Sequence, residues 1–136
     1  EVFHQSKVLN YFLNKQSLPK TQKLTDNLLS KIKKDRKYSF DFKDILLLQS
    51  LRSDGIQISE IDEMSQYISE LNPEFDKMID NNESGMILLK LAEIIGEKEL
   101  DQLNNRTLNL IVEIMNRAKL ISLRNELLLE ILPLKV

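Results

Sequence analysis

FDFKDILLLQSLRSDG, Phe40–Gly55, holds a complete helix between its own start and stop signals. Asp41 is placed to cap the N-terminus, with Asp44 in the first turn and Phe40 positioned to staple onto Ile45. The apolar body DILLLQSL follows, and Asp54-Gly55 ends it, where glycine can take the left-handed closing conformation. Working outward, nearly every other segment reads at the same 3.6-residue period. No run of alternating β-branched residues bounded by turns appears, so the chain reads as all-α.

Upstream, a first helix over roughly 2–14 places Val8, Leu9, Phe12 and Leu13 on one side. Ser17 and Pro19 start a second, with Leu24, Leu28, Leu29 and Ile32 as its stripe. Downstream, Ser59 and Asp62 resemble a capping box for a fourth helix, striped by Ile61, Met64, Ile68 and Leu71. Asn72-Pro73 stops that helix and starts a short one through Phe75, Met78 and Ile79. After Asn81-Asn82 comes MILLKLAEII, closed by Gly96; Leu100 and Leu103 mark another turn of helix before Asn104-Asn105. A long helix carries Leu108, Ile111, Met115 and Ala118, and a last one runs from Ser122 to before Pro133.

That makes about eight short helices, each too short to be stable alone and so obliged to bury its apolar face against neighbours. Tight connections favour antiparallel helical hairpins, either stacked as an array or packed as an irregular bundle. The triplets Ile45-Leu46-Leu47, Ile87-Leu88-Leu89 and Leu127-Leu128-Leu129 recur about 40 residues apart. In element length and spacing only, this resembles HEAT or armadillo hairpin repeats.

With 136 residues the chain fits a single domain, 1–136, able to bury on the order of two-thirds of its unfolded surface. Leu occurs 25 times and Ala twice, and Lys outnumbers Arg 14 to 5. The absence of cysteine removes disulfides, thiolate nucleophiles and cysteine-bound zinc, and fits an intracellular, cytoplasmic setting. No apolar run approaches the 18 residues or so of a membrane span. The chain opens on Glu1 and carries no signal-peptide core, which suggests a domain of a longer protein.

Catalytic patterns are scarce. His4 is the only histidine, so a nucleophile–base pair would have to use it. There is no HExxH, no phosphate-binding loop and no glycine-rich dinucleotide turn. The expectation is therefore no enzyme, no cofactor and no metal. One near-motif is a calcium-type helix-loop-helix at 80–91, where Asp80, Asn82 and Ser84 take the first, third and fifth positions and Gly85 the sixth. Its twelfth position is Leu91, which cannot ligate, so a polar turn capped by Ser84 is the preferred reading. Two sequons, at Asn82 and Asn105, would matter only in a secreted chain.

Charge is distributed unevenly. Residues 1–37 hold nine Lys/Arg and three Asp/Glu, whereas residues 54–83 hold nine acidic side chains and one basic, Lys77. The basic region 15–37 supplies a candidate patch of Lys20, Lys23, Lys31, Lys33, Lys34, Arg36 and Lys37, with Tyr38 available for stacking. Asp54, Glu60, Asp62, Glu63, Glu70 and Glu74 supply a candidate acidic face. Three readings follow: a solvated helix flank serving charge-steered binding of a protein partner, a nucleic-acid contact, or a membrane contact. An overall pI near 5.5 weighs against the polyanion, and the lack of Trp against the membrane. The expectation is a non-catalytic helical protein–protein interaction module, a scaffold, adaptor or regulatory piece. RNA binding by a helical-repeat segment is the alternative.

Overall fold

The structure, a computed structural model, describes residues 2–59, 61, 63–64 and 73–132. Among these the chain is all-helical with no strand: α1 (Leu18–Lys34), α2 (Phe42–Ser53), α3 (Pro73–Asp80), α4 (Ser84–Ile95), α5 (Asn105–Arg117) and α6 (Ile121–Ile131). Short 3-10 turns add Phe3–Gln5, Lys7–Tyr11 and Leu100–Gln102. Of the helix expected from Ser59 onward, Ile61 and Met64 are described and buried; Ile68 and Leu71 lie outside the described residues.

Local chemistry accounts for most of these boundaries. Ser17 Oγ accepts the Lys20 N–H at 3.3 Å, with Pro19 in the first turn of α1. Asp41 and Asp44 form the full reciprocal capping box at the start of α2. Beyond its end Gly55 sits at φ 107°, a left-handed angle that side chains with a Cβ resist. Asn104 Oδ1 accepts the Thr107 N–H at 2.8 Å and opens α5. In α4 the cap is Glu83, without a side-chain bond; Ser84 is already the first helical residue rather than the cap expected of it.

The first expected helix is broken. Ser6 is extended (φ −84°, ψ 176°), and its hydroxyl accepts the Val8 N–H at 3.4 Å, splitting the segment into two 3-10 turns. Ser competes with the helix for backbone groups, and here it prevails. The N–H groups of Phe3 and His4 are taken by distant side chains, Tyr38 and Asp44, instead of by a helix. Leu13, placed on the inward side by the helical period, is 44% exposed.

Helix α2 lies at the centre. Ile45, Leu46, Leu47, Leu48 and Leu51 are all fully buried, so the helix is enclosed on every side rather than along one stripe. It packs on α5 and on the Phe3–Gln5 turn, while α1 packs on the Lys7–Tyr11 turn. Pairs α3–α4 and α5–α6 are neighbours in chain and in space. The three apolar triplets do not share one setting. Ile45-Leu46-Leu47 is wholly enclosed, whereas Leu88 and Leu89 are 43% and 54% exposed.

Candidate functional site

The seven basic side chains all face solvent. At 100° per residue, Lys20, Lys23, Lys31 and Lys34 fall within about 80° of one another around α1. The buried residues Thr21, Thr25, Leu29 and Ile32 occupy the opposite side. The outer face of α1 is therefore a lysine stripe about 21 Å long, at 1.5 Å per residue. Lys33 flanks it, and Arg36 and Lys37 extend it past the helix end. Three lysines in the last turn also complement the negative pole of the helix dipole, so the sequence favours helix and stripe together. None of the seven side chains is in an ion pair with another described residue.

Tyr38 is placed differently from its expected role. It is half-buried; its hydroxyl donates to Asp44 Oδ2 at 2.7 Å and accepts the Phe3 N–H at 3.0 Å. Its ring meets Phe40 edge-on. Burial, joined by the neighbouring carboxylates, pushes its phenol above the ordinary tyrosine range. The residue fastens the N-terminal turns to α2 and does not stand open beside the lysines.

Of the candidate acidic residues, the described ones, Asp54, Glu63 and Glu74, take three different settings. Glu60, Asp62 and Glu70 lie outside the described residues. Glu74 is exposed, 3.9 Å from Lys90, and Glu63 accepts the Phe40 N–H at 3.4 Å. Asp54 turns inward. Arg124, fully buried, reaches it with two bonds of 2.6 and 2.7 Å, in the fork geometry that guanidinium and carboxylate share. Tyr11 adds a hydroxyl to Asp54 at 2.8 Å; Asn116 and Asn125 accept from Arg124; the guanidinium lies 5.5 Å from the Phe12 ring centre. Burial alone would raise the Asp54 carboxyl, but the bonds from Arg124 and Tyr11 outweigh it and hold it below the ordinary range. Burial, then Asp54, pushes the Tyr11 phenol up to about 12.

At the other end of α2, Asp44 forms the matching clasp. Its Oδ1 accepts the His4 N–H at 2.9 Å and the His4 ring at 2.8 Å; Oδ2 accepts Tyr38 and the Asp41 N–H. His4 is 1% exposed, and its Nε2 is buried without a hydrogen-bond partner. The chain's single imidazole is thus buried and held against Asp44. His4, Asp41 and Asp44 are of metal-ligand type and lie within 4.8 Å of one another. The 2.8 Å between Nδ1 and Oδ1 is a hydrogen-bond length, shorter than the roughly 3.3 Å that two ligands keep across a shared zinc. Both Asp44 oxygens already accept two donors each.

The calcium-type loop does not form. Helix α4 begins at Ser84, so positions five to twelve of that segment are helical, and Gly85 lies within the helix instead of bending a loop. Asp80 closes α3, and Asn82 carries the turn at φ 55°.

Compared with known proteins, no family model matches the chain, and no curated protein or solved structure does either.

Proposed function

We propose that the chain is a non-catalytic, all-helical protein–protein interaction module, and that the lysine stripe of α1 engages an acidic surface on a protein partner. The observation that carries this reading is the stripe itself: four outward lysines in line, unpaired among the described residues. Unpaired surface cations contribute little to folding, whereas complementary charge across an interface steers association and selects partners. The enclosure of His4 supports a role without catalysis. The inward fastening of Tyr38 favours a protein over single-stranded nucleic acid, which needs aromatic faces open for base stacking.

The test is affinity capture with the natural chain and with Lys20, Lys23, Lys31 and Lys34 all changed to Glu, each with and without nuclease. The expected result is a set of acidic proteins kept by the natural chain, indifferent to nuclease and lost with the charge-reversed version. Capture that disappears on nuclease treatment would establish RNA binding in its place. Capture indifferent to the four lysines would remove the stripe from the account.

A further inference from the structure

A second surface lies away from the α1 stripe. The start of α2, the Leu100–Gln102 turn, the start of α5 and the end of α6 enclose a groove of about 480 Å³. Its floor is apolar, built from Phe42, Leu46, Leu100, Leu103, Leu108 and Ile131. The rim is not neutral: Glu99, Asp101 and Glu130 are exposed, against one half-buried cation, Lys43. None of these four forms an ion pair with another described residue.

We infer that this groove binds a peptide segment of a partner protein that presents a bulky apolar side chain flanked by lysine or arginine. The volume falls in the range of sites that take a ligand group, and six apolar residues line the groove together with Asn105 and the four charged residues of the rim. An apolar anchor gains by covering apolar surface that still meets water, which the half-buried Leu100 and Ile131 supply above the buried Leu46 and Leu108. The sign of the flanking charges follows from the rim, where three carboxylates outnumber the single ammonium group. An anionic ligand would meet the same carboxylates as repulsion. The N-termini of α2 and α5 add little to attract an anion, because the Asp41–Asp44 box and Asn104 already cap them. The rim charges set partner choice and on-rate, and the floor supplies the contact area.

The experiment uses three fluorescein-labelled synthetic peptides: a Leu-Phe pair flanked by lysines, the same pair flanked by glutamates, and lysines around a Gly-Gly pair. Binding is read by anisotropy. The lysine-flanked Leu-Phe peptide is expected to bind saturably below about 1 mM, the other two at least tenfold more weakly. Exchanging the rim with E99Q, D101N and E130Q together is expected to weaken it about tenfold. These three side chains are exposed, so that variant keeps its core. L100Q, which roughens the floor, gives an independent reading. The four-lysine reversal in α1 should leave peptide affinity no weaker, which separates this groove from the stripe. Equal binding of the acidic peptide, an unchanged affinity in the rim variant, or no saturation would overturn the proposal. So would self-association of the chain that the peptide reverses, read by sedimentation, with a second copy of the protein as the occupant.

Discussion

Arg124 is the residue on which the clasp at the Asp54 end of α2 depends. A fully buried guanidinium is tolerated only because Asp54, Asn116 and Asn125 take its hydrogens and Phe12 lies against it. Arg124→Ala is expected to cost about 3–5 kcal/mol in urea unfolding, since it leaves Asp54 buried without its countercharge. Replacing both partners, as in Arg124→Met with Asp54→Leu, should recover part of that loss; a double variant weaker than either single one would contradict this. The same group sets a pH dependence. Asp54's folded carboxyl lies below its ordinary value of 3.8, so its contribution is complete above that value and is lost as pH falls through the lower folded one. Tyr11 works in the other direction. Its phenol is raised to about 12, so the folded state holds a proton that the unfolded one gives up near 10. Stability from Tyr11 is intact below pH 10 and lost as pH rises toward 12. Melting temperatures across pH 2–12 check both limbs; Asp54→Asn and Tyr11→Phe should each lessen one limb, and Tyr38, raised in the same direction, keeps part of the alkaline one.

At the scale of elements, α2 concentrates the fold. Leu46→Ala is expected to cost about 2–5 kcal/mol, as in any enclosed site that cannot collapse around the missing atoms. Asp41→Ala should cost about 1 kcal/mol, the worth of a helix cap, because Asp41 is exposed. A reversed ranking would mean that α2 is held by its cap and not by its packing. Much of this helix was legible beforehand: the Asp41–Asp44 box, the Gly55 stop and the apolar run all stand in one stretch. That the helix is central was not, because Met86–Leu89 is an apolar run of the same length and yet Leu88 and Leu89 face solvent. The first segment was less legible. Val8, Leu9 and Phe12 fit a helical period, but the N–H groups at Phe3 and His4 are claimed by Tyr38 and Asp44, which are 35 and 40 residues away. No local pattern carries such a bond. For the same reason Asp54 read as surface charge: its partner lies 70 residues downstream.

Taken whole, the molecule separates what holds it together from what it offers to solvent. The interior is mainly apolar, and a polar clasp sits at each end of α2, His4–Asp44–Tyr38 and Tyr11–Asp54–Arg124. Outside, the cationic side chains gather along α1, while the groove near the start of α5 carries a carboxylate rim. The lysine stripe was legible in the spacing of its residues, since exposed cations on one helix need no distant partner. The groove was not, because four separate elements build it. Lysine acetylation footprinting of the free chain and of its captured complex tests the stripe most directly. Lys20, Lys23, Lys31 and Lys34 are expected to lose reactivity in the complex, while Lys98 and Lys119, exposed elsewhere, keep theirs. Unchanged labelling of the four, or shielding of Lys98 and Lys119 in their place, would contradict a partner seated on α1.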